Sequence, residues 1–189
     1  MNLFLNSYTD KHPERNAELI TCLENNMKLD FLKIHKIEGR PTYRDYFNHI
    51  NRVTNPNDIN IIANSDIYFQ ELSYDMFAGL THDDCYALSR WDVNAEGEAV
   101  HYNNSGSQDT WIFRGAIKMV EGATFTQGVA GCDNKIAYLL SEAGYRVTNP
   151  SLSIKTYHLH NTNIRHYIQK GKKVYRLPLP RMSVAISQL

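Results

Sequence analysis

The chain opens with a short apolar run, Leu3-Phe4-Leu5, that ends in the polar stretch Asn6-Ser7-Tyr8-Thr9-Asp10. Pro13 then stands where a first helical residue tolerates proline, and Leu19, Leu23 and Met27 recur at i, i+4 and i+8. The pattern predicts strand, turn and amphipathic helix. Phe31 to Ile37 predicts a second strand, stopped by Gly39 and Pro41. A helix follows over Tyr43–Val53 with Tyr46, Phe47 and Ile50 on one side. After the loop Asn55-Pro56-Asn57-Asp58, the β-branched run Ile59 to Ala63 has the character of a strand buried in a central sheet. Strands alternating with helices predict an α/β domain with a largely parallel sheet. Ligands in such sheets gather at the carboxyl ends of the strands. Two polar clusters fall there, Asn6-Ser7-Tyr8 and Asn64-Ser65-Asp66.

The second half is less periodic. Cys85 to Ser89 and Trp111 to Phe113 predict strands, separated by a polar Gly/Asn/Ser-rich stretch, Asn94 to Gln108, of the kind that forms a mobile loop over a site. Ile136, Leu139, Leu140 and Ala143 repeat at i, i+3, i+4 and i+7 and predict a helix closed by Gly144. Ser151 to His158 predicts a further strand, and the tail from Lys170, with Pro178 and Pro180, an extended segment.

Composition adds one asymmetry. The 20 basic and 20 acidic side chains cancel, but no acidic residue follows Glu142. The last 47 residues carry +8 and the first 142 carry −8. The C-terminal part therefore either faces an anion or packs against the acidic remainder. Cys22, Cys85 and Cys132 are odd in number and form no CxxC pair, which predicts reduced thiols rather than a disulfide framework or a zinc cluster. The start lacks a signal-peptide core and no run spans a bilayer, so a soluble, cytoplasmic protein is expected.

Four local constellations can carry chemistry. In Ile61 to Phe69, an apolar strand delivers Asn64-Ser65-Asp66 to a sheet edge. Asp66 there either ligates a hard cation or caps a local turn. In Tyr157-His158-Leu159-His160, an extended backbone points both imidazoles one way, as metal ligands or as a half-buried strand without metal. Asp133, in Gly131-Cys132-Asp133-Asn134, stands at the expected N-cap of a helix, and can also serve as a general base toward a hydroxyl. Asp109 with Trp111 either binds a sugar by hydrogen bonding and stacking or is a turn before a core tryptophan.

Taken in order, these residues resemble the nucleotide-sugar-dependent glycosyltransferases of the GT-A fold. Asn64-Ser65-Asp66 stands in the place of that family's Asp-x-Asp motif, Gly131-Cys132-Asp133-Asn134 in that of its acidic base motif, and His158 and His160 where a metal histidine falls. Asn6-Ser7-Tyr8 and Pro13-Glu14-Arg15-Asn16 look like the segments that hold base and ribose. The sequence departs from the pattern at Asn64, where the first Asp of the metal motif would be, and at Cys132, where the Glu before the base would be.

The resemblance implies a three-layer GT-A-like sandwich with a mostly parallel central sheet over residues 1–165, and a basic tail, 166–189, packing on or near the site. It implies a hexosyl- or pentosyltransferase moving a sugar from a nucleotide-sugar donor, UDP favoured, to a hydroxyl of a glycan or modified nucleic acid, with inversion. Implied site residues are Asp133 and Asp109 for catalysis, Ser7, Tyr8, Arg15, Asn64, Ser65 and Asp66 for the donor, and Asp66, His158 and His160 for Mn²⁺ or Mg²⁺. Arg165, Lys170, Lys172 and Lys173 would close over the phosphates.

Two other classes compete. One is a nucleic-acid or anionic-surface binding module using the basic tail with Tyr167 and Tyr175. The other is a metal-dependent phosphoesterase or nucleotidyltransferase built on the same Asp and two His.

Overall fold

The computed structural model describes residues 1–162, 164 and 176–189. Its first half follows the sequence pattern: β1 (Asn2–Ser7), α1 (Pro13–Met27), β2 (Lys33–Glu38), α2 (Tyr43–Val53) and β3 (Ile59–Ala63). Then come β4 (Ile67–Tyr68), a single 3₁₀ turn (Tyr74–Phe77), β5 (Asp84–Leu88), β6 (Trp91–Val93), β7 (Ala99–His101) and β8 (Thr110–Arg114). α3 (Cys132–Glu142), β9 (Arg146–Thr148) and β10 (Tyr157–His158) complete the described elements.

Six strands form one mixed sheet in the order β2-β1-β3-β8-β5-β9. β1 pairs in parallel with both β2 and β3, while β8 runs antiparallel to β3 and β5. β9 returns to the parallel sense beside β5, so β8 alone runs against the rest. β1 thus sits between the strand that follows it and the one after that, which is a point where strand order reverses.

Burial explains the layering. Phe4, Ile62, Trp111 and Phe113 face one side of the sheet, against Tyr43, Tyr46, Phe47 and Ile50 of α2 and Ile136 and Leu140 of α3. Leu3, Leu5, Ile61 and Ile112 face the other, against Leu23 of α1 and the Ile67–Leu80 segment. Full burial of each such side chain contributes roughly 1.5–3 kcal/mol. α2 starts where Thr42 and Asp45 satisfy each other's backbone N–H groups, a capping box.

α1 is rotated from the expected stripe. Met27 is 62 % exposed, and the inward face carries Arg15, Glu18 and Asn26 beside Leu19 and Cys22. Asn26 can be buried because its side chain donates to Ile67 O (3.0 Å) and accepts from Phe69 N–H (3.0 Å), clamping β4 as a backbone strand would.

Four short strands make a second sheet in the order β4-β10-β6-β7. The polar stretch 94–108 is therefore partly structured, since β7 pairs with β6 as a hairpin. The strand expected over Ser151–His158 is only Tyr157–His158. Pro150 starts a turn closed by Ser153 N–H and Ile154 N–H on its carbonyl, and Ile154 is buried in the second core.

Residues 176–189 lie along the body rather than leaving it. Leu177 bonds to Ala130 O, Met182 to Asn134 O, Val184 to Ser105 O and Ser187 to Asn149 O. All three cysteines are free and buried. Among the described residues, no helix is long and apolar enough to cross a membrane.

Candidate functional site

At the carboxyl end of β3 the chain turns sharply, with Ile67 N–H bonding Asn64 O. Asn64 Nδ2 donates to Asp109 Oδ1 (2.7 Å), tying this turn to the start of β8. Ser65 Oγ donates to Asn6 O (2.6 Å) and also meets the Asn6 side chain, tying it to the end of β1. With its two neighbours anchored, Asp66 is turned inward. One oxygen, Oδ2, pairs with the Arg15 guanidinium and lies 3.3 Å from His158 Nε2 and 3.6 Å from His160 Nδ1. The other, Oδ1, is buried and finds no hydrogen-bond partner among the described residues.

Each imidazole is oriented from behind. His158 Nδ1 lies 2.7 Å from Asp92 Oδ1, and His160 Nε2 lies 2.9 Å from the carbonyl of Ile164. A carbonyl or carboxylate only accepts, so these far nitrogens carry the hydrogens. His158 Nε2 and His160 Nδ1 are the atoms aimed at Asp66. This is the arrangement by which proteins fix the tautomer and orientation of a ligating histidine. The ligand atoms of Asp66, His158 and His160 lie within 4.8 Å of one another, and the group can hold a metal ion. The buried, unpartnered Oδ1 fits the same ion. One carboxylate with two imidazoles suits Mn²⁺, Fe²⁺ or Zn²⁺ better than an ion that demands oxygen alone.

Electrostatics set the resting state. Burial alone would raise the Asp66 carboxyl, but hydrogen bonding and charge from His158 and Arg15 outweigh it and hold it well below the usual carboxylate range. Burial would lower His158, yet its bonds to Asp66 and Asp92 lift it to about 9. His160 is lowered, by burial and then by the Arg15 charge, which keeps its ring neutral. Arg15 stays ionised despite burial because Asp66 and Glu18 flank it. Glu18 also accepts from Thr162 N (2.7 Å) and Oγ1 (2.9 Å), and Arg15 donates to Leu159 O (3.2 Å), so α1 holds the segment that carries both histidines. The Tyr8 phenol is raised by burial, against the nearby Arg15 charge, and its side chain hydrogen-bonds Arg15.

A second string of charges runs from the histidines toward α3. Arg90 donates from Nε to Asp92 Oδ1 (2.7 Å) and from Nη1 to Asp109 Oδ2 (3.0 Å). Asp133 lies beyond Asp109. Burial and the Asp109 charge push its carboxyl up to about 7, against hydrogen bonds from Cys132 and the Gln108 backbone and the Arg90 charge. Asp133 is not the N-cap. Gly131 takes that position at φ 81°, where no side chain is favoured, and Asp133 falls in the first turn instead. A cleft of about 150 Å³ opens between Arg90, Asp92, His158, His160 and Asn161. A larger hollow of about 440 Å³, between β2 and α2 beside Arg40, His49 and Arg52, shares no residue with this cluster.

The sequence-derived residues thus fall unevenly. Asp66, His158 and His160 converge, and Asp109 and Asp133 lie along one connected charge network with them. Asn64 and Ser65 serve the turn. Arg15 is engaged by Asp66 and Glu18, and Ser7 ends β1, where its carbonyl accepts from Gly39 N–H. Stacking of a sugar on Trp111 is ruled out, because that ring is only 1 % exposed inside the core. Arg165, Tyr167, Lys170, Lys172, Lys173 and Tyr175, and the boundary at 165/166, lie outside the described residues. Among the other basic groups after Glu142, Arg146 pairs with Asp84 and Lys155 sits over Trp91. Arg90 and Asp92 carried no motif in the sequence; the two-residue spacing, which in extended backbone puts both on one side, is their only signal. No family model matches the chain, and neither does any curated protein or solved structure.

Proposed function

We propose that this chain is a metal-assisted glycosyltransferase with a GT-A-like α/β domain, moving a sugar from a nucleotide-sugar donor to an acceptor hydroxyl. One observation carries the reading. Asp66, His158 and His160 meet within 4.8 Å at the carboxyl end of β3. That end lies beside β1, where strand order reverses and sheets of this class bind nucleotides. The order of the motifs along the chain supports the same class.

Asp66, His158 and His160 would hold the cation, Mn²⁺ being favoured over Mg²⁺ by the two imidazoles. Bound there, it would act as a Lewis acid that neutralises the charge of a departing nucleoside diphosphate. Tyr8, partly exposed beside Arg15, would offer an aromatic face to the base, and Ser7 ends the strand beside it. Asp133 accepts the proton of the acceptor hydroxyl as that oxygen bonds to the anomeric carbon and the carbon–phosphate-oxygen bond breaks, inverting configuration. A pKa near 7 suits a base working at neutral pH. Asp109 acts through Asp133, since its negative charge raises the basicity of its neighbour.

A thermal-shift panel of nucleotides and nucleotide sugars, with and without Mn²⁺, tests the class. Binding to the folded state alone raises the melting temperature by mass action. A Mn²⁺-enhanced shift with a nucleotide sugar, followed by its sugar appearing on an acceptor, is the expected result. Release of free phosphate or pyrophosphate with no sugar transfer would assign the centre to a phosphoesterase or nucleotidyltransferase.

A further inference from the structure

The small sheet carries a row of side chains across its strands. His158 pairs with Ile67 on one side and Asp92 on the other, and Asp92 pairs with Val100. Paired residues share a face, so His158, Asp92 and Val100 lie side by side. The next row adds Arg90 and Tyr102. Tyr102 N–H bonds Arg90 O (3.0 Å), and the Arg90 guanidinium lies 4.2 Å from the Tyr102 ring centre on the side where it meets Asp92. The opposite face is filled by Tyr68 stacked on Tyr157 and by Trp91 against His101. On the His158 face the inner side chains His158 and Arg90 are mostly covered, and the outer end at Val100 and Tyr102 reaches solvent. This face runs outward from the metal-ligating imidazole through a half-exposed carboxylate to two apolar groups, Val100 (67 % exposed) and Tyr102 (36 % exposed).

We infer that Tyr102 and Val100, with Asp92, form the subsite for a saccharide acceptor. This inference rests on the transferase reading above. A pyranose ring offers an apolar C–H face and a rim of hydroxyls, and it needs a platform beside an acceptor of hydrogen bonds. Tyr102 and Val100 supply the platform; Asp92, whose side chain is 42 % exposed, supplies the carboxylate. Strands lie about 4.8 Å apart, so Val100 stands two strand spacings, about 10 Å, from His158.

The same loop also leads to the base. Tyr102 Oη accepts from Asn104 Nδ2 (3.3 Å), and Gly106 runs close between the side chains of Asn104 and Asn134, where an added Cβ would lie 3.3 Å from each. Gln108 then donates its backbone N–H to Asp133. Tyr102 and Gln108, whose backbone N–H reaches the Asp133 carboxyl, thus stand six residues apart on one segment.

Saturation-transfer NMR on the full chain in Mg²⁺ buffer tests the subsite. The probes are glucose, galactose, N-acetylglucosamine, glucuronate and β-linked disaccharides, with UMP and UDP alongside, against wild type, Tyr102→Ala, Tyr102→Phe and Val100→Glu. At least one saccharide should bind wild type, weaken about tenfold in Tyr102→Ala and Val100→Glu, and bind Tyr102→Phe within twofold. Mn²⁺ and nucleotide thermal shifts should stay unchanged in all three. Saccharide binding unaffected by both Tyr102→Ala and Val100→Glu, no saccharide binding to a wild type that binds nucleotide, or loss of nucleotide instead of saccharide in Tyr102→Ala would overturn the subsite. Saccharide binding that follows Tyr102 in a protein that neither binds nor turns over any nucleotide sugar would keep the subsite and remove the transferase reading.

Discussion

Asp133→Asn separates stability from activity in a way that the geometry makes quantitative. The Asp133 carboxyl is raised from 3.8 to about 7 by burial and by the charge of Asp109. A group raised on folding favours the protonated folded state. Its contribution is complete below pH 3.8 and is lost as pH rises through 7. Each pKa unit is worth about 1.4 kcal/mol, so the ionised carboxylate opposes folding at alkaline pH. Asp133 keeps partial solvent access and is electrostatically tied to Asp109, so the effect is on the order of 2 kcal/mol.

Asparagine keeps the size and the acceptor for the Cys132 and Gln108 donors but never ionises. The variant should therefore gain on wild type as pH rises, by about 1–2 kcal/mol between pH 5 and pH 8. Urea denaturation of both proteins at pH 5, 6, 7 and 8 reads this directly, with the slope on denaturant unchanged. Sugar transfer by the same variant should fall about 10²–10⁴-fold with donor binding intact. A stability difference that stays flat with pH, or a variant that loses ground at pH 8, would show that Asp133 is not held between burial and a like charge.

Three other substitutions probe the supporting structure. Asp92→Asn removes the carboxylate that orients His158, and Mn²⁺ affinity by isothermal titration should drop about 10–100-fold. Arg15→Met leaves Asp66 and Glu18 buried without their counter-charge, so the protein should lose about 3–5 kcal/mol in urea melts, and should regain more from added Mn²⁺ than wild type does. Asn26→Ala breaks the clamp on β4 and should cost about 1–3 kcal/mol, read as an earlier urea midpoint at unchanged slope.

The sequence disclosed those parts of the fold whose signals are local. α2 is legible because Tyr46, Phe47 and Ile50 form one apolar stripe, and the structure adds Tyr43 to it and a Thr42–Asp45 cap before it. β3 is legible because all five of its residues are buried. The inward face of α1 is not, since Arg15, Glu18 and Asn26 owe their burial to partners 41 to 144 residues away. Asp66 and the two histidines each stand in a short recognisable setting that left a metal role and a structural role open, and the family resemblance joined them into one candidate metal group. Arg90 and Asp92 could not, because the face of β6 is decided by pairing with β10, 66 residues on. Trp111 looked like a sugar platform for the same reason. Its strand is covered on both sides, by α2 and α3 on one and the Ile67–Leu80 segment on the other, and alternation along the strand could not show which ring reached solvent.

Asp66, His158 and His160 together should bind one divalent ion. Electron paramagnetic resonance of free Mn²⁺ during titration of the chain counts that ion directly. One Mn²⁺ should disappear from solution per wild-type chain, and none at comparable affinity in the His158→Ala/His160→Ala protein, provided circular dichroism shows it folded. No stoichiometric uptake by wild type, or equal uptake after both imidazoles are removed, would contradict the account.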